Sequence, residues 1–115
     1  MTYLINNKKI RIEKRYIHDY FVDNKCGVEY ITTFLQTGEI ILINIWNTNE
    51  YRYFKSKSNV LRDGSLDYQT TEILYDNENI SLTELLIRIQ NDFTKLPNYG
   101  NLLIEQCEYT AKSIM

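Results

Sequence analysis

The fold turns on Gly27-Val-Glu-Tyr-Ile-Thr-Thr-Phe-Leu35, then Gln36-Thr37-Gly38, then Glu39-Ile-Ile-Leu-Ile-Asn-Ile-Trp46. β-Branched and aromatic residues dominate both flanks, Pro is absent, and Gly38 stands where a hairpin needs a residue tolerant of positive φ. The stretch predicts two antiparallel strands closed by a tight turn. After Asn47-Thr-Asn-Glu50, the segment Tyr51-Arg-Tyr-Phe54 predicts a third strand. In the second strand Ile41, Ile43 and Ile45 share one side, and Ile40, Leu42 and Trp46 the other. A strand apolar on both sides belongs mid-sheet, with something packed over each face.

Working outward towards the N-terminus, Tyr3–Ile5 and Lys8–Ile12 read as short strands around an Asn6-Asn7 turn. The segment 13–24 is ambiguous between helix and strand, and a helix is the reading preferred because as a strand it alternates poorly. Ile12, Tyr16, Ile17, Tyr20 and Phe21 fall on one helical face, and Gly27 follows as a C-terminal signal.

On the C-terminal side, Lys55-Ser-Lys-Ser-Asn59 reads as an exposed loop and Asp63-Gly64 as a turn. Leu66–Tyr75 is a further strand. Ser81 and Glu84 make an S-x-x-E capping box, with Ile80 and Leu85 as its hydrophobic staple. Leu82, Leu85, Leu86, Ile89, Phe93 and Leu96 then form an apolar stripe predicting a helix over about 82–96, stopped by Pro97. Leu103, Cys107, Ala111 and Ile114 predict a last helix over about 102–113; a final strand is the alternative. The sum is a single α+β domain over 1–115: an antiparallel sheet of about five to six strands, a helix at 82–96 on one face, and further helices near 13–24 and 102–113.

Composition bounds the function. The 115 residues, 43% hydrophobic and 24% charged, are those of an ordinary soluble domain large enough for its own core. The longest apolar run, Ile40–Ile43, is far too short to span a bilayer, and the N-terminus lacks a signal-peptide pattern, so a cytoplasmic protein without membrane association is expected. Cys26 and Cys107 have no metal-ligand spacing and read as free thiols, at least one of them buried. Twelve Asn, fifteen Ile and ten Tyr against one Ala point to AT-rich codons, hence a low-GC genome, a phage or a mobile element.

No catalytic motif, metal cluster or phosphate loop is present, so neither a cofactor nor catalytic residues are expected. The one histidine, His18, could act with Asp19 or Asp23, but on the helical reading it lies on the polar face. A small enzyme is therefore the third reading.

Charge supplies the other two. The first 62 residues carry ten Lys/Arg and six Asp/Glu, the remainder three and nine. Asp63–Ile87 holds six carboxylates and no basic residue. Within it Asp67, Tyr68, Glu72, Tyr75, Asp76 and Glu78 combine carboxylates with tyrosines, a pairing that steers towards and anchors on a basic protein such as a toxin or nuclease domain. Lys8, Lys9, Arg11, Lys14 and Arg15, with tyrosines nearby, are the corresponding nucleic-acid feature. The sequence pI of about 5.4 counts against that second reading. An edge strand at Tyr51–Phe54 would also allow a homodimer by sheet extension. In type alone, a small low-GC chain without catalytic motifs resembles the immunity proteins of interbacterial toxins and phage-encoded inhibitors. That likeness implies a non-enzymatic protein that neutralises a partner by occluding it.

Overall fold

A computed structural model describes residues 1–5 and 8–113. The expected Asn6-Asn7 turn and Ile114 lie outside them. Among the described residues, six strands form one antiparallel sheet in simple sequence order: β1 (Thr2–Ile5), β2 (Lys8–His18), β3 (Cys26–Phe34), β4 (Glu39–Trp46), β5 (Tyr51–Val60) and β6 (Leu66–Asn77). Two helices follow, α1 (Leu82–Asp92) and α2 (Pro97–Ser113). The hairpin read from residues 27–46 is present, in the register Tyr30↔Ile43 and Thr32↔Ile41, with Gly38 at φ +80°. A Cβ on Gly38 would meet the Ser58 carbonyl oxygen at 1.8 Å, so glycine is required there twice over.

Both helices pack on one face of the sheet. Ile41, Ile43 and Ile45 lie at the centre of the core, with Val28, Tyr30 and Tyr53 beside them and Leu85, Ile89, Phe93, Leu103 and Cys107 above. Three hydroxyl pairings fix where the helices sit. Tyr30 Oη lies 2.6 Å from Thr110 Oγ1, Thr32 Oγ1 lies 2.8 Å from Tyr99 Oη, and Tyr53 donates to Asp92 Oδ2 at 2.8 Å. Ser81 caps α1 as the capping box foretells, its hydroxyl accepting from the Glu84 amide at 3.1 Å.

Several local expectations are corrected. Residues 13–24 form no helix: β2 runs to His18 and a turn follows. The stretch is claimed by β3, which pairs with it from Ile10↔Phe34 to His18↔Cys26. Long-range pairing with a strongly β-prone neighbour overrides a chance helical spacing. Tyr16, Tyr20 and Phe21, assigned to a buried helical face, are exposed. The Lys55–Asn59 loop is the second half of β5, where Ser56 is buried between Ile40 and Ile73, and Ser58 is buried against the Gly38 turn, donating its amide to the Gly38 carbonyl at 2.9 Å. Tyr51–Phe54 is not an edge, since β5 is held between β4 and β6, so it offers no sheet extension.

The helix at 82–96 also ends earlier, at Asp92. Phe93 and Leu96 stay buried in a tight connection, and Pro97 opens α2 instead of merely ending α1. Gly100 lies inside α2, where a Cβ would come within 2.9 Å of Phe93 Cβ; it lets the helices meet closely.

Among the described residues, no helix lies over the opposite sheet face, contrary to the cover expected on both sides of β4. Ile40, Leu42 and Trp46 are half-buried there under long polar side chains. The Arg52 guanidinium sits 5.1 Å from the Phe54 ring centre, and Lys25 Nζ 5.0 Å from that of Trp46.

Two predictions follow from the packing. Leu85→Ala, which opens a cavity under α1, lowers unfolding free energy by about 2–5 kcal/mol, whereas Ser81→Ala lowers it by about 1 kcal/mol, both measured by urea denaturation. The second concerns the thiols, both free. Burial pushes the Cys107 thiol up to about 12 from its ordinary 9.0, and burial together with Asp92 raises the Tyr53 phenol as well. The folded chain therefore keeps protons that the unfolded chain releases. Stability is whole below about pH 9 and declines as pH climbs towards 12. Denaturation midpoints at pH 7, 9 and 10.5 should fall in that order, while iodoacetamide modifies half-buried Cys26 in the native protein and reaches Cys107 only on unfolding.

Candidate partner-binding edge

β6 is the long outer strand of the sheet, and it carries most of the carboxylate and tyrosine residues picked out from the sequence. Its pairing with β5 is broken twice. Between Lys55↔Tyr75 and Ser56↔Ile73, Leu74 is the extra residue; between Lys57↔Glu72 and Asn59↔Asp67, Tyr68–Thr71 stand opposite Ser58 alone. Such bulges bend an edge and spoil it as a template for further strands.

The larger bulge is held by its own side chains. Asp67 Oδ1 accepts from the Gln69 amide at 3.2 Å, Thr70 Oγ1 donates to the Asp67 carbonyl at 2.6 Å, and Thr71 Oγ1 donates to the Tyr68 carbonyl at 2.7 Å. Ser58 Oγ lies 2.7 Å from Thr71 Oγ1, and the Asn59 amide donates to Thr70 Oγ1 at 2.9 Å, tying the bulge back to β5. A run of Asp, Thr and Thr is suited to this, because each short side chain can substitute for a missing ladder bond.

The six residues do not share one surface. Tyr75 points to the helix side, where the Arg88 guanidinium lies 3.5 Å from its ring centre and Tyr53 meets it edge-on at 6.1 Å. Asp76 points to the opposite face and is gripped in a two-pronged pair by Arg52, whose Nε and Nη2 each donate at 3.0 Å. That hydrogen bond, more than the other nearby charges, raises the Arg52 guanidinium above its ordinary value. Tyr75 and Asp76 are thus committed within the molecule. Asp67, Tyr68, Glu72 and Glu78 remain along the outer margin, Glu72 with Lys57 as its register partner.

The structure adds two residues that pattern reading passed over. Ile73 is 62% exposed and Leu74 46% exposed, next to Tyr68 at 59%. Strict alternation would put Ile73 on the helix side with Tyr75; the extra residue Leu74 pairs it instead with Ser56, on the open face shared with Ile40.

The basic set divides as well. Arg11 and Arg15 both close on Glu13, at 3.2 and 2.8 Å, and the hydrogen bond from Arg15 holds the Glu13 carboxyl below the usual range. Lys14 lies across the sheet, 5.8 Å from the ring centres of both Tyr16 and Tyr30. Lys8 and Lys9 stand at the far end of β2, beside a pocket. Alternation along a strand therefore separates the five cations that looked contiguous in sequence.

His18 is exposed at the end of β2. The carboxylate beside it, Asp19, accepts from the Phe21 amide at 3.0 Å and lies 3.8 Å from Lys25 Nζ. Among the described residues, no three His, Cys, Asp or Glu side chains converge as metal ligands, and no helix is long and apolar enough to cross a membrane. Compared with protein-family models, with curated proteins and with solved structures, the chain matches none.

Proposed function

We propose that this protein is a non-enzymatic binding protein that neutralises a basic protein partner by covering it with the outer margin of β6. The observation that carries the reading is that one strand, bearing no cation, exposes three large side chains, Tyr68, Ile73 and Leu74, along with Asp67 and Glu72 and with Glu78 just beyond its end. Exposed apolar side chains set in a like-charged rim are the arrangement of an interface: the carboxylates steer and exclude wrong partners, and the apolar anchors hold.

The bulged edge gives the contact its character. Because the ladder is interrupted at two places, a partner is recognised by side chains and not by strand addition. A tight protein inhibitor buries about 1,600 Å² in total, roughly half from each partner. The described surface of this domain, 7456 Å², can supply that half with ease. Such an inhibitor is of the immunity or antitoxin type, acting in the cytoplasm beside a toxin or nuclease domain whose active site is basic.

The test uses a photo-crosslinking amino acid at position 68 and, as a control, at Tyr109 on α2, each expressed in the source cell. Position 68 should capture one basic protein that position 109 does not. The triple variant D67K/E72K/E78K should weaken binding of the purified pair by at least tenfold and flatten its salt dependence. Asp76→Asn should change affinity far less, because Arg52 already holds that carboxylate. Equal capture at both positions, or triple-variant affinity and salt slope like those of the parent, would discard the assignment.

A further inference from the structure

The two ends of the sheet are complementary to each other. At one end the β2–β3 turn, Asp19–Lys25, presents Tyr20 at 93% exposure and Phe21 at 97%. This turn is not loose. The Asp19 amide donates to the Lys25 carbonyl at 3.0 Å and the Lys25 amide to the Val22 carbonyl at 3.3 Å. Asp19 Oδ1 accepts from the Phe21 amide, and Asn47 Nδ2 donates to the Asn24 carbonyl at 2.7 Å from the neighbouring hairpin. Asn24 takes φ +62° to close it. Lys25 is drawn inward onto Glu50 at 2.9 Å and Asp19 at 3.8 Å, leaving exposed Asp23 to flank the aromatics. A braced turn loses little further freedom when its side chains are buried, and burying a Phe side chain is worth about 1.5–3 kcal/mol.

At the other end, the β3–β4 turn and the α1–α2 connection enclose a pocket of about 250 Å³. Half-buried Phe34 supplies most of its apolar surface, with Phe93 and Leu96 behind it at only 2% exposure, and Lys8, Lys9 and Lys95 stand around it. The two carboxylates in the lining, Glu39 and Asp92, are both engaged by Lys55, at 3.8 and 3.5 Å, and Asp92 also accepts from Tyr53. Among the described residues, no carboxylate comes within 4.0 Å of the three rim lysines. The pocket is smaller than the roughly 300–1,000 Å³ of small-molecule sites and suits a single aromatic side chain between anionic neighbours.

We infer that the occupant is a second copy of this chain: the Tyr20–Phe21 turn of one molecule enters the pocket beside Phe34 of the next, with Asp23 meeting Lys8, Lys9 and Lys95. Because the two surfaces lie at opposite ends of the strands, the contact is heterologous. It adds molecules head to tail instead of closing a two-fold pair. Its area is small, so it forms at high local concentration and loosens with salt. The inference goes beyond occlusion of a partner and uses none of the β6 residues, so either can fail alone.

Sedimentation velocity from about 10 µM to about 1 mM in low salt is the test. The mean mass should rise from the 13.8 kDa monomer with concentration and fall back when salt is added. Amide shifts in a concentration series should move at Thr94, Lys95 and Leu96 and at Phe21–Asp23. Phe21→Ser, at a position with almost no contacts to lose, should shift the association constant at least tenfold towards monomer without changing thermal stability. D23K and K95E should each do the same, and the double variant D23K/K95E should regain association. A constant mass across the range overturns the inference. So does a Phe21→Ser variant that associates like the parent, including one that merely stops binding phosphatidylcholine vesicles, which would make the turn a membrane anchor.

Discussion

One apolar face of one sheet has to be kept from water, and the rest of the chain is arranged by that need. Ile41, Ile43 and Ile45 project from β4, the middle of the sheet's hydrophobic half, and nothing in the strands can cover them. The last third of the chain does it. α1 brings Leu85 and Ile89, α2 brings Leu103, Cys107 and Ala111, and the short connection adds Phe93 and Leu96. Apolar burial alone would let two helices slide on a greasy surface. The pairings Tyr30–Thr110, Thr32–Tyr99 and Tyr53–Asp92 prevent this, since each buried hydroxyl left unmatched would cost about 1–3 kcal/mol. The hydrophobic effect drives the helices onto the sheet, and the hydroxyl pairs select a single seating.

The other face shows a different way to live with water. With both helices used on one side, Phe54 and Trp46 are shielded by Arg52 and Lys25, whose charged groups lie 5.1 and 5.0 Å from the ring centres. Those groups are then fixed by carboxylates, Arg52 by Asp76 and Lys25 by Glu50 and Asp19. The ion pairs add little stability in themselves, being partly solvated. Their effect is to hold the cations flat over the aromatics. The same pairing removes Asp76 from the acidic surface, so the demands of an uncovered sheet face decide which carboxylates remain available to a partner.

What the amino-acid sequence discloses follows the range of the forces involved. The β3–β4 hairpin, the Asp63-Gly64 turn and the Ser81 cap are legible because their determinants lie within a few residues. The amphipathic stripe at 82–96 is legible too, although Pro97 plays the opposite part from the one expected: its fixed φ and missing amide suit a first helical position as well as a stop. Residues 13–24 misread because their fate is decided by β3, whose pairing a local window cannot contain. Lys55–Asn59 misreads because serine on a strand mimics a loop until the backbone that crowds it, at Gly38, is known. The acidic segment was legible as a segment but not as a surface. Alternation sends Tyr75 and Asp76 to opposite faces, and the extra residue Leu74 shifts Ile73 onto the open face, opposite to Tyr75.

The exposed apolar residues share a mechanical property that bears on function. Tyr68 rides on a bulge tied down by Asp67, Thr70 and Thr71, and Tyr20 and Phe21 ride on a turn tied down by Asp19 and Asn47. Large side chains in water are ordinary when scattered on mobile loops. Here the backbone beneath them is immobilised by hydrogen bonds that contribute nothing to burying the core. Ordering of that kind lowers the entropy lost on association, which is where preorganised interfaces gain affinity over flexible ones of equal area. Placement reinforces the point. The carboxylates Asp19, Asp23, Glu50 and Glu78 gather at the end of the sheet where β2, β4 and β6 finish, whereas Lys8, Lys9 and Lys95 gather where β2 begins and α1 ends. A body polarised along its strands, with rigid apolar groups raised at its margins, orients an approaching charged partner before any contact is made.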